Sequence, residues 1–176
     1  MKVVIVNGSG GVGKDEFCHL CNELTGLKCI TYSTITRIKS VARQLGWTGI
    51  KDKKSRKFLS DLKNLSVSYN DFLFEQICKD IEDTNAINNI EIVFVMCREP
   101  EEIKKLQEKF NAITILIKNK RVETQKYENK SDDNVNNYNY NYYIYNDGTL
   151  EELKDWAKWF LLKIGVEIND KVYWFS

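Results

Sequence analysis

The sequence predicts an α/β protein of three layers, with a central, mostly parallel five-stranded sheet between two layers of helices. Three observations carry that expectation. Short β-branched runs alternate with stretches whose apolar residues recur every three to four positions. Two of the runs, 90–96 and 112–117, are apolar almost throughout, as strands buried on both faces are. The single proline, Pro100, falls where a strand gives way to a helix, the first-turn position that proline favours. With 176 residues, 43% of them apolar, the chain fills one core and falls short of two, so residues 1–176 are expected to form a single domain.

The elements follow in order. Lys2 to Asn7 is a β-branched run that ends in glycines, and Asp15 to Leu24 aligns Phe17, Leu20, Cys21 and Leu24 on one helical face. Cys29 to Tyr32 is a second strand. Ile35 to Leu45 keeps the helical period through Ile38, Val41 and Ala42, and Gly46 stops it. Two more helices are expected at 54–67 and 70–81, each with an apolar face that needs a sheet to cover. Strand 90–96, helix 101–110 and strand 112–117 complete the buried centre. Residues 118–137 are polar, with five Lys or Arg between 118 and 130, and form a lid candidate. Tyr138 to Tyr145 alternates with asparagine as a strand, Asn146-Asp147-Gly148 turns, and Thr149 with Glu152 makes a capping box for a helix over 149–164. The tail, 166–175, is expected as an edge hairpin.

Composition excludes several classes. Twenty-six Lys and Arg against 25 Asp and Glu give a net charge of +1, with no global electrostatic reason to bind nucleic acid or a membrane surface. Five cysteines, an odd number at scattered spacing, do not make a disulfide framework, and no secretory signal or membrane span is legible, so a cytoplasmic protein is expected. Cys18 and Cys21 lack the second ligand pair of a zinc ribbon and are expected as core thiols. His19, the only histidine, has no partner motif for nucleophilic catalysis. Trp156, Trp159 and Trp174 are expected in the core or at an interface, compatible with a homodimer.

The residues that carry chemistry lie between the first strand and the first helix. Gly8-Ser9-Gly10-Gly11-Val12-Gly13-Lys14-Asp15 fits the phosphate-loop pattern of glycine, four residues, glycine, lysine. Glycines let successive backbone N–H groups aim at phosphate oxygens, the helix N-terminus adds positive potential, and Lys14 can reach the terminal phosphates. Gly8 to Asp15 is therefore the expected ATP site, with Lys14 catalytic. Position 15 departs from the usual hydroxyl: Asp15 offers magnesium a carboxylate, or simply favours the positive end of the helix.

A loop ending Gly-Lys-Asp resembles that of the phage-type deoxynucleoside monophosphate kinases and the animal-type phosphomevalonate kinases, both of the P-loop nucleoside-monophosphate-kinase fold. Tyr32-Ser33 followed by Arg37-Ile38-Lys39 is similar to a Ser-Phe-Ala…Pro-Leu-Lys stretch of the deoxynucleotide kinases, with Arg37 in the proline position. Asp52-Lys53…Arg56…Leu59…Leu62 resembles their next helix, Arg98-Glu99-Pro100-Glu101-Glu102 their Arg-Phe-Pro-Asn-Glu motif, and Ser131-Asp132 with Tyr143 to Leu150 their closing segment. The similarity spans about residues 2–160. It implies an ATP- and Mg2+-dependent phosphoryl transfer to a small phosphorylated acceptor, first a (deoxy)nucleoside monophosphate. One position disagrees: the acidic residue the family carries before its arginine is Met96 here, followed by Cys97. That loss motivates a non-catalytic nucleotide-binding module as an alternative, beside a kinase of phosphomevalonate or dephospho-coenzyme A.

Further site residues follow from position and charge. Arg98 ends a strand at the carboxyl edge, where open α/β sheets bind ligands; it is expected as a catalytic residue that holds a phosphate and neutralises its charge in transfer, with a structural pair to Glu101 or Glu102 as the alternative. Ser33, Lys39, Arg43, Arg56 and Asp61 are acceptor candidates; for each cation a solvated helix face is the alternative, and for Asp61 a surface ion pair. Arg121 is either a lid arginine that neutralises the transferring phosphoryl group or one charge of a polar loop.

Overall fold

A computed structural model describes residues 1–50, 52–123, 135 and 138–169. Along the chain run β1 (Lys2–Asn7), α1 (Lys14–Leu24), β2 (Cys29–Ser33), α2 (Thr36–Gln44), α3 (Lys53–Tyr69), α4 (Phe72–Asn85), β3 (Ile92–Met96), α5 (Pro100–Phe110), β4 (Ile113–Lys118), the single turn α6 (Lys120–Glu123), β5 (Tyr142–Tyr145) and α7 (Leu150–Lys163). The five strands form one sheet in the order β2-β3-β1-β4-β5, with every neighbouring pair parallel. The α/β class and the five-stranded sheet are as the sequence predicts.

Each element forms for a local reason. β1 holds the sheet's centre because Val4, Ile5 and Val6 are wholly buried, each burial stabilising the fold by about 1.5–3 kcal/mol. Its two faces feed two cores. Val4 and Val6 face a cluster with Phe17, Leu20 and Leu24 of α1 and Leu153, Phe160 and Leu161 of α7. Val3 and Ile5 face the opposite cluster, with Ile77 and Ile81 of α4 and Ile103 and Leu106 of α5. Helices α2, α3 and α4 share a satellite core of Ile38, Ala42, Leu59 and Leu73. Among the described residues, no helix is long and apolar enough to cross a membrane.

One expectation changes, and another is described only in part. The strand expected over 138–145 begins only at Tyr142. Ahead of it the Asn141 carboxamide accepts from the Thr114 N–H at 2.8 Å, and the Thr114 hydroxyl accepts from the Asn141 N–H at 3.0 Å. Side chains thus occupy the groups that a backbone ladder would use. The hairpin expected over 166–175 has no strand in residues 166–169, and its remainder lies outside the described residues. Of the lid candidate, 124–134 and 136–137 lie outside them as well, as do Ser131, Asp132 and Trp174.

The capping box at the start of α7 is present: the Thr149 hydroxyl accepts from the Glu152 N–H at 3.3 Å, and the Glu152 carboxylate accepts from the Thr149 N–H at 3.0 Å. Thr149→Ala is expected to lower stability by about 1 kcal/mol. Urea unfolding followed by circular dichroism measures it, and an unchanged midpoint would contradict the cap.

Candidate functional site

In an all-parallel sheet the carboxyl ends of all strands meet at one edge. Here that edge gathers Asn7, Ser33, Met96, Lys118 and Tyr145, with the glycine loop springing from its middle. The loop's shape demands glycine: Gly8, Gly11 and Gly13 have φ of 145°, 89° and 95°. Gly13 caps α1, so the first free N–H groups of that helix open into the loop. The Lys14 ammonium folds back and donates to the Gly8 and Ser9 carbonyls, both at 2.7 Å.

The two arginines predicted on different elements converge here. A Cβ added at Gly10 would lie 3.5 Å from Arg56 Nη1 of α3 and 3.8 Å from Arg98 Nη2, just past β3. Lys14, Arg56 and Arg98 therefore surround one short stretch of backbone. Such an arrangement attracts polyanions, and guanidinium forks match phosphate oxygens in pairs. Glu102, one of the two carboxylates expected beside Arg98, has two partners of its own. It pairs with Lys63 at 2.7 Å and accepts from the buried Cys97 thiol at 3.3 Å. Burial, then the Glu102 charge, pushes that thiol's pKa well up, so Cys97 stays protonated. The bridge fastens α3 to α5, hence Arg56 to the arm that bears Arg98.

The remaining candidates are more scattered. Asp15 is exposed in the first turn of α1 and, with Cys18, His19, Asn22, Cys29 and Thr31, lines a cleft of about 320 Å³ between α1 and β2. Among the described residues no group of three or more His, Cys, Asp or Glu could hold a metal ion. A single carboxylate still suits magnesium, which keeps waters and takes substrate phosphates as its other ligands. Ser33 ends β2, and its hydroxyl accepts from the Ile35 N–H at 3.4 Å. Lys39 is half-buried on α2, and Arg43 lies over the Trp47 ring at 5.7 Å. Arg37 forms a two-pronged pair with Asp80 at 2.8 and 3.1 Å. Asp61 pairs with Lys57 at 2.6 Å on the exposed face of α3, the surface ion pair expected as its alternative. Arg121 is exposed on α6, beyond the end of β4; its N–H is held by the Asn119 carboxamide at 2.9 Å.

Four residues of the site escape a reading of the sequence. Asn146 donates to the Val12 carbonyl at 2.9 Å, bracing the loop from the β5 side. Asn119 donates to the Asn146 carbonyl, and Asp147 accepts from the Lys120 N–H at 2.7 Å, so the ends of β4 and β5 are knotted together beside the loop. Asn7, wholly buried at the end of β1, accepts from the Gly8 N–H at 2.7 Å. The legible signal for Asn7 is a polar residue that ends an otherwise aliphatic strand.

Tyr140, on the back face, has its phenol pushed up to about 12 by burial, against the opposing effect of its hydrogen bond from Asn7. The native state holds this proton more tightly than an unfolded chain with a phenol near 10. Its contribution is therefore whole below pH 10 and is lost as pH rises from about 10 to about 12. Unfolding midpoints across that range are expected to fall more steeply for the wild type than for Tyr140→Phe, by about 2–3 kcal/mol in total. Parallel curves would contradict it.

No family model matches the chain, and no curated protein matches it. Solved structures do. The Deinococcus radiodurans tunicamycin resistance protein superposes with a TM-score of 0.56 at 13% identity, over 95% of this chain and 97% of that one. A sugar kinase from a Janibacter species gives 0.55 at 13%, over 94% and 96%, and the shikimate kinase of Aquifex aeolicus gives 0.51 at 15%, over 92% and 95%. Coverage of nearly both whole chains at such low identity is a likeness of fold: the chain has the three-layer, parallel-sheet architecture of these proteins.

Proposed function

We propose that this protein is a kinase that uses ATP and Mg2+ to phosphorylate a small acceptor that already carries a phosphate, best a (deoxy)nucleoside monophosphate. The observation that carries this reading is the approach of Arg56 and Arg98 to Gly10. The loop amides and Lys14 suffice for the donor's phosphates; two further guanidiniums suit a second phosphorylated group brought up to the first. The end of β2 supports it too, for it offers Ser33 and Thr34 and no carboxylate to deprotonate a hydroxyl acceptor. A phosphate acceptor is ionised at neutral pH and needs no base, so positioning and charge neutralisation suffice. The bond from the γ-phosphorus to its bridging oxygen breaks, one forms to the acceptor's phosphate oxygen, and ADP leaves. Asp15 would hold magnesium, which supplies positive charge to the phosphates in transfer. In this scheme Lys39 and Arg43 help to place the acceptor, and Arg121 neutralises charge on the transferring phosphoryl group.

The test is release of ADP by purified protein with magnesium-ATP and a panel of ribo- and deoxynucleoside monophosphates, phosphomevalonate and dephospho-coenzyme A. Acceptor-dependent turnover with a nucleotide supports the reading. Turnover with a metabolite alone moves the acceptor class, and ATP binding without any turnover makes the chain a nucleotide-binding module, the outcome that Met96 at the family's acidic position would then explain. Within the reading, Arg56→Ala is expected to raise the acceptor KM about 10- to 100-fold, the worth of one charge-assisted contact, and to leave the ATP KM within about threefold. An equal rise in both would place Arg56 on the donor.

A further inference from the structure

We propose that Asn7 is a positioning residue: its buried carboxamide ties the backbone of Arg98 to the entry of the phosphate loop, and Tyr140 fixes which way that carboxamide faces. The proposal rests on the loop's being a phosphate site, and it assigns the means by which Arg98 is held at the right height above it.

The hydrogen bonds leave one orientation. Asn7 is wholly buried, where an unpaired amide is costly. Its oxygen accepts from the Gly8 N–H at 2.7 Å. Its nitrogen donates to the Arg98 carbonyl at 3.2 Å and to the Tyr140 hydroxyl at 2.7 Å. The Tyr140 hydroxyl spends its own proton on the Val135 carbonyl, 2.9 Å away. It can therefore only accept from Asn7, which turns the NH₂ toward Tyr140 and Arg98 and leaves the oxygen for Gly8. One planar group thus spans from the loop that follows β1 to the segment that follows β3. The Arg98 guanidinium returns across the same gap to Gly10. Tyr140 is itself clamped by the Tyr138 and Tyr143 rings, at 5.4 and 6.0 Å, so the support reaches into the back core.

Binding of inorganic tripolyphosphate, measured by calorimetry, tests this without requiring turnover. Asn7→Leu keeps the branching and heavy-atom count of the side chain, with somewhat greater bulk, and removes all three bonds; Tyr140→Phe is the milder variant should Asn7→Leu fail to fold. Arg98→Ala is expected to weaken binding about tenfold or more, and Asn7→Leu about tenfold. In the Arg98→Ala background Asn7→Leu is expected to cost no more than about threefold, the part that passes through Gly8. Tyr140→Phe should weaken binding severalfold alone and have no further effect on top of Asn7→Leu. A merely structural role would lower the melting temperature and leave these effects additive. Additive losses overturn the proposal, and so does an Asn7→Leu protein that binds tripolyphosphate like the wild type. Binding by the wild type without any acceptor turnover would defeat the proposed kinase activity yet still decide the role of Asn7. Absence of binding to the wild type would overturn both.

Discussion

Lys14→Met is expected to lower kcat by about 10²- to 10³-fold, the usual cost of removing one preorganised donor from the charge that develops in a transition state. The structure explains why this lysine is costly to lose. Its ammonium rests on the Gly8 and Ser9 carbonyls at 2.7 Å, so the loop itself holds the charge at the mouth of the proposed phosphate site. Methionine keeps the stem and its packing but neither the charge nor those two bonds. Stability is expected to fall only by about 1–3 kcal/mol, since the group is part-buried and charged. Lys14→Arg should not restore the rate, because a planar guanidinium cannot point three tetrahedral donors at two carbonyls and a phosphate. Steady-state kinetics with saturating acceptor, alongside a thermal melt, separates these effects. Turnover within threefold of the wild type in Lys14→Met would remove lysine from the chemistry and with it the main role assigned to the loop.

Much of this architecture was legible from the residues, and the parts that were not share a cause. Strand and helix identities follow from periodicity, because β1, β3 and β4 are buried on both faces and the helices on one. The loop follows from spacing, since Gly8, Gly13 and Lys14 are close in sequence and in space. Convergence of Arg56 and Arg98 was not legible: it depends on how α3 sits over the sheet end, which the Lys63–Glu102 bridge and the Leu59 core fix through tertiary contact. Asn7, Asn119 and Asn146 were hidden for the same reason. An asparagine declares nothing about its partners, and all three act on carbonyls or amides brought near by the parallel crossings of the sheet. Asp61 meets the opposite charge one turn away, Lys57, which is the surface ion pair that the sequence offers as its alternative.

Gly8→Ala is expected to be the most destabilising single change in the loop, although it adds only one methyl. Its φ of 145° is a region that residues with a Cβ rarely occupy, at a cost of about 1–3 kcal/mol. The new Cβ would also stand 2.5 Å from the Ile117 carbonyl oxygen and 2.8 Å from Val12 Cγ2. Ile117 is a wholly buried residue of β4, hydrogen-bonded into the sheet, so the oxygen cannot swing aside as a side chain could. Overpacking of that kind adds about 1–3 kcal/mol, for a total of about 2–6 kcal/mol. That is a large part of the roughly 5–15 kcal/mol that holds a domain of ordinary stability. Gly11 provides the control. Its φ is 89° but nothing lies within 4 Å of its missing Cβ, so Gly11→Ala should cost about 1–2 kcal/mol of backbone strain alone. Urea unfolding of both variants measures the difference, with equal m-values as the check that only stability has changed. Equal midpoints would mean that the loop leaves β1 without abutting β4, and the close approach that aims its amides inward would be lost with it.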